Sequence, residues 1–98
     1  MQVIGTQVLQ DFCNKYSDAE NQVEALLAEL REANWQNPHE LKARYGTASI
    51  LGDGNVVFNI KGNKYRIWVK VSFKNQMVRV RDAGTHEEYE DWDIKKGK

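Results

Sequence analysis

Between Asn55 and Asp82 apolar and polar residues alternate almost without a break, and this leaves little choice of fold for the second half of the chain. Successive side chains on a strand point to opposite faces, so strict alternation marks a sheet with one buried and one solvated face. Gly52-Asp53-Gly54-Asn55, Lys61-Gly62-Asn63 and Lys74-Asn75 are turn signals that cut the segment into strands over 55–61, 64–73 and 76–82. Links this short predict an antiparallel meander.

The first half is patterned differently. Residues 1–4 form a short apolar run that fits an edge strand. Over 6–16, Val8, Leu9, Phe12, Cys13 and Tyr16 share one helical face. Ser17 and Glu20 have the spacing of a capping box, which would open a second helix with Ala19, Val23, Leu26, Leu27 and Leu30 as its stripe. Asn37-Pro38 starts a short third helix, with Asn37 as cap and Pro38 at the first helical position, and Gly46 is its stop. The expected class is α+β: a short N-terminal strand and two to three helices packed on one face of a mainly antiparallel sheet. Ninety-eight residues suffice for one modest core, so 1–98 reads as a single domain.

The alternation also sorts the surfaces. Val56, Phe58, Ile60, Tyr65, Ile67, Val69, Val71, Phe73, Val78 and Val80 fall on the face expected to pack under the helices. The opposite face receives Asn59, Lys61, Lys64, Arg66, Trp68, Lys70, Arg79 and Arg81, six of them cationic. Net charge is zero, yet residues 46–81 hold seven Lys/Arg against one acid, while the flanks 1–45 and 82–98 are each acidic. A solvated face decorated only against edge pairing would mix its signs. A basic face with Trp68 as a stacking plane points to a polyanion, RNA before others. No helix carries a basic run, so reading of a duplex groove is not expected; single-stranded or ribosome-associated RNA fits better.

Little else in the chain suggests chemistry. Cys13, the only cysteine, lies on an apolar helix face and reads as buried filler. One thiol makes no internal disulfide, and residues 1–5 have neither the basic nor the apolar part of a signal peptide; the expectation is a reducing cytoplasm and no membrane partner. No ligand spacing for a metal, no phosphate loop and no nucleophile elbow is present, so neither metal nor cofactor is implied. His39, just after Pro38, reads as surface. His86 follows the third strand and could move a proton near neutral pH, with Tyr89 three residues on. Lys, Arg, His and Tyr suit cleavage of RNA by its own 2′-hydroxyl: a base takes the proton, cations hold the phosphorane charge, and an acid protonates the leaving oxygen. The acids over 87–93 suit solvent, a helix dipole or a partner better than a cation.

Three strings carry a family resemblance: Trp35-Gln36-Asn37-Pro38, Val57-Phe58-Asn59-Ile60-Lys61-Gly62-Asn63-Lys64-Tyr65-Arg66, and Gly84-Thr85-His86 with Glu88-Tyr89. In order and spacing, over nearly the whole chain, they resemble the HigB family of bacterial type II toxins within the RelE-like superfamily. The resemblance implies a small α+β toxin that enters the ribosome and cuts messenger RNA there. It also implies a cognate antitoxin with a helix-turn-helix domain, through which alone operator DNA would be bound. Carried over, Lys61, Asn63, Lys64 and Arg66 match the basic turn and strand, and His86 and Tyr89 the C-terminal motif. The family commonly has Asp directly after the motif Tyr; here Glu90 and then Asp91 follow.

These readings converge on a metal-independent, ribosome-dependent mRNA endonuclease. His86 would transfer the proton, Arg66 would stabilise the phosphate charge, and Tyr89 would orient the 2′-hydroxyl or share proton transfer. Lys61, Asn63, Lys64, Trp68, Lys70, Arg79 and Arg81 would hold RNA. The alternative is a non-enzymatic RNA- or ribosome-binding module, or an inactive toxin, using the same face.

Overall fold

The computed structural model describes residues 1–92; Asp93, the last acid of the acidic stretch, lies outside them. The chain runs β1 (Gln2–Ile4), α1 (Thr6–Lys15), α2 (Glu20–Glu32), α3 (Pro38–Arg44), β2 (Ser49–Gly52), β3 (Asn55–Ile60), β4 (Tyr65–Ser72), β5 (Met77–Thr85) and α4 (His86–Tyr89). The strands form one sheet in the order β1-β5-β4-β3-β2. β2 to β5 are an antiparallel meander, and β1 joins the edge parallel to β5. This is the expected α+β arrangement with one strand more: β2 went unpredicted because it is short, holds Gly52 and leaves Ile50 exposed.

Alternation decides which face is buried. Val56, Phe58 and Ile60 of β3, Tyr65, Ile67, Val69 and Val71 of β4, and Val78 and Val80 of β5 are all buried in one cluster. Leu9, Phe12 and Cys13 from α1, Val23, Leu26 and Leu30 from α2, and Leu41 from α3 join it, with Ala19 and Ala48 from the connections. Burial of each such side chain contributes roughly 1.5–3 kcal/mol. Cys13 is buried as expected, and burial pushes its thiol pKa up, with the Glu20 and Glu24 carboxylates adding to the effect.

Local signals succeed and fail for identifiable reasons. The Asn37 side chain accepts from the Glu40 backbone N–H at 3.0 Å, and Pro38 takes the first helical position as predicted. The helix ends at Arg44, before Gly46, because Tyr45 leaves helical geometry and its ring packs against Phe58 and Trp35. The capping box predicted for Ser17 and Glu20 does not form. Residues Ser17–Ala19 wind into a 3-10 turn, the fully buried Ala19 takes the cap position of α2, and no side chain caps that helix.

The 3-10 turn instead presents Asp18 to the sheet. Its carboxylate accepts from the Tyr65 hydroxyl at 2.7 Å and from Lys64 Nζ at 2.8 Å. The Lys64 and Tyr65 hydrogen bonds hold the Asp18 pKa below its ordinary value, while the same contact raises that of Lys64. A depressed carboxylate stabilises the fold above its unfolded pKa, and the contribution disappears as pH falls through the lowered folded value. The stability difference between the native chain and Asp18→Asn should therefore be present at neutral pH and vanish below the ordinary carboxylate range. Urea unfolding of both proteins across that range measures it.

Candidate active site

The meander places a second set of side chains on the face away from the main core. β3 and β4 pair Asn59 with Arg66, Val57 with Trp68, and Asn55 with Lys70; β4 and β5 pair Arg66 with Gly84, Trp68 with Asp82, and Lys70 with Arg79. This face is not uniformly solvated. Val57 and Asn55 are buried on it, and the Asn55 carboxamide oxygen accepts from Trp68 Nε1 at 3.0 Å. Between Trp68 and Val69 the register shifts, leaving Arg81 as an extra residue on β5. The bulge sets Arg81 over the Trp68 ring at 5.2 Å and brings Asp82 opposite Trp68.

The end of β5 turns the chain back over the sheet. Thr85 Oγ1 accepts from the Glu88 N–H at 3.1 Å, and the Glu88 carboxylate accepts from the Thr85 N–H at 2.8 Å. This reciprocal cap starts α4. A Cβ on Gly84 would strike the Glu88 side chain, so the missing side chain gives α4 its room. The His86 N–H donates to the Lys64 carbonyl at 3.1 Å, tying α4 to the turn between β3 and β4.

Three residues singled out from sequence meet at that junction. Arg66 Nη2 lies 3.0 Å from His86 Nδ1, its Nη1 donates to the Asn63 carbonyl at 3.0 Å, and its guanidinium lies 5.3 Å from the Tyr89 ring centre. His86 Nε2 is 3.8 Å from Glu90 Oε2. Arg66 and Tyr89 are half-buried and His86 is exposed, so an incoming polymer could reach all three. Two groups able to carry a proton and a fixed positive charge thus sit side by side, a set that can serve cleavage of a phosphodiester.

The other expected RNA contacts divide into two groups. Lys70, Arg79 and Arg81 are exposed along the face, and Lys61 and Asn63 are exposed in the turn. Lys64 is ion-paired with Asp18; its neighbour on the same face, Asn59, which was not expected to hold RNA, donates its amide to the Thr47 carbonyl at 3.0 Å. Trp68 is not a bare platform: Trp92 lies 5.9 Å away at a tilt of 32°, and Tyr89 in turn meets the Trp92 ring edge-on at 5.5 Å. Trp92 and the Glu90 contact have no periodic signal in the sequence; the Thr85/Glu88 spacing is the sign of α4, the short helix that both residues follow. His39 is exposed, as expected. Among the described residues no group of three His, Cys, Asp or Glu side chains could hold a metal ion, and no helix is long and apolar enough to cross a membrane.

Comparison with known proteins gives this face a context. A family model, HigB toxin, described as the RelE-like toxic component of a toxin–antitoxin system, matches residues 19–92. The mRNA interferase toxin HigB of Escherichia coli (strain K12) is 29% identical over 92 residues, which cover 92% of this chain and 88% of the relative. The mRNA interferase HigB of Shigella flexneri matches to the same extent.

Because the cap seats α4, Thr85→Ala should lower stability by about 0.5–2 kcal/mol and Thr85→Ser should retain most of it. Urea midpoints with unchanged m-values check this.

Proposed function

The chain belongs to the HigB toxin family, the toxic half of a toxin–antitoxin system, and on that premise we propose that it cuts messenger RNA at the ribosome through its basic sheet face. The carrying observation is the Arg66–His86–Tyr89 junction. It sets a permanent cation between two proton-transfer groups on an exposed surface. The relatives' names, mRNA interferase, support the same reaction class.

In the proposed reaction His86 takes the proton from a ribose 2′-hydroxyl. The 2′-oxygen attacks phosphorus and the bond to the 5′-oxygen breaks. Arg66 stabilises the charge gathered on the phosphoryl oxygens, and Tyr89 gives its hydroxyl proton to the departing 5′-oxygen, regaining one from solvent. The products are a 2′,3′-cyclic phosphate and a 5′-hydroxyl. No metal enters this scheme. The ribosome supplies substrate geometry, and positioning alone removes several kcal/mol of barrier. Lys61, Asn63, Lys70, Arg79 and Arg81 hold flanking RNA, while Lys64 serves only after parting from Asp18. A cognate antitoxin is the partner the family implies; we propose that it carries a helix-turn-helix domain and alone contacts operator DNA, and that the pair acts in the cytoplasm.

Cleavage in a purified translation system, mapped by primer extension, tests the reading. The native chain should cut only with ribosomes present and without sensitivity to chelators beyond their effect on the ribosome. His86→Ala should lose about 10²–10⁴-fold in rate, the usual contribution of a general acid or base, while still binding ribosomes. Salt-sensitive binding with no cleavage by the native chain would favour the non-enzymatic module instead.

The basic face makes a separate prediction. Binding to ribosomes or single-stranded RNA should weaken steeply with salt, and each of Arg79→Ala and Arg81→Ala should reduce the log–log slope by roughly 0.7. Filter binding over a salt series measures it, and a flat response would remove the polyanion model.

A further inference from the structure

We propose that Glu90 is a positioning residue for His86 and that Nδ1, not Nε2, is the nitrogen that takes the proton. The inference rests on the cleavage reading above and deepens it.

Arg66 fixes the tautomer of a neutral His86. A guanidinium has only donors and does not lose its proton, so the 3.0 Å contact from Nη2 requires an accepting lone pair on His86 Nδ1. A neutral His86 therefore carries its single proton on Nε2. That nitrogen faces the carboxylate of Glu90, the residue that ends α4, at 3.8 Å. The ring is thus bracketed by a donor from β4 on one nitrogen and an anion from the end of α4 on the other, while its own backbone N–H is held by the Lys64 carbonyl. Glu88, also on α4, is committed to the Thr85 cap.

The two contacts engage different ring nitrogens: the Arg66 guanidinium fills the Nδ1 lone pair, and the Glu90 carboxylate stands on the Nε2–H side. Phosphate is the ligand that changes this arrangement. An RNA phosphodiester that draws the Arg66 guanidinium onto its oxygens frees Nδ1 at the moment a 2′-hydroxyl arrives beside it. His86 then accepts the 2′-hydroxyl proton at Nδ1, and Glu90 stabilises the resulting imidazolium through Nε2–H. The arrangement has the logic of a carboxylate–histidine pair, with the roles of the ring nitrogens reversed relative to serine proteases. It also keeps His86 from acting as a base before substrate is bound.

Nitrogen-15 NMR of the two histidines, with exposed His39 as internal reference, reads the tautomer directly. At a pH where both rings are neutral, His86 should show the Nε2–H form more completely than His39, and Arg66→Ala should bring the two together. A His86 ratio equal to that of His39 in the native chain would overturn the bracketing. In the translation assay Glu90→Gln should lower cleavage by about tenfold or more, with ribosome binding kept, and Glu90→Asp should restore most of it. Native cleavage by Glu90→Gln, with His86→Ala inactive, would overturn this inference alone. Cleavage by His86→Ala would instead remove the reading beneath it.

Discussion

The register of β4 is the constraint on which the rest of this molecule depends. Tyr65, Ile67, Val69 and Val71 are each at most 4% exposed, and their burial fixes the strand against slippage. A slip of one residue would turn Tyr65, Ile67, Val69 and Val71 to water and drive Arg66, Lys70 and Ser72 into the core. Locking these residues inward is what delivers Arg66, Trp68 and Lys70 to the opposite face. The same strand thus builds the core with its odd-numbered positions and the site with its even-numbered ones. Tyr65 adds a tie between the layers, since its hydroxyl holds Asp18 beside α2 while its ring packs on Phe12 and Tyr16.

Parts of the structure with a period were legible in the sequence, and parts set by a single local event were not. The three long strands and the two faces follow from alternation, and the helices from their apolar stripes. The bulge at Arg81 has no periodic signature. It shifts the parity of β5, so that Asp82 comes opposite Trp68 and Ala83 packs against the core. The two Ser/Thr-x-x-Glu spacings are instructive together. At Thr85 and Glu88 the chain has just left a strand and the two groups reach each other; at Ser17 and Glu20 a 3-10 turn intervenes and Asp18 is drawn to Lys64. Spacing states which groups can meet, and the competing tertiary contact decides whether they do.

The site was legible to a similar degree and for the same reason. Arg66 was placed by alternation, and His86 and Tyr89 by their position after a strand end. Their convergence needed α4, a helix of four residues that no period could reveal. Lys64 shows the converse: its charge was visible in the sequence, but its pairing with Asp18, 46 residues away, was not.

The charge pattern itself argues that this face is kept for a partner. Lys70 and Arg79 lie directly opposite each other in the β4–β5 ladder, and both are exposed. Like charges at such positions destabilise a sheet, by an amount comparable to the roughly 0.2–1 kcal/mol that favourable cross-strand pairs contribute. Arg81, lifted by the bulge over Trp68, adds a third cation nearby. Replacing either Lys70 or Arg79 by an acid would turn repulsion into attraction, so folding alone gives no reason for the pair. A polyanion does: phosphates set between the cations relieve the repulsion and gain the attraction of several charges at once. The free energy given up in the isolated fold would be recovered on binding a polyanion, and this supports the proposed RNA-binding role of β4 and β5 over that of a solvated back.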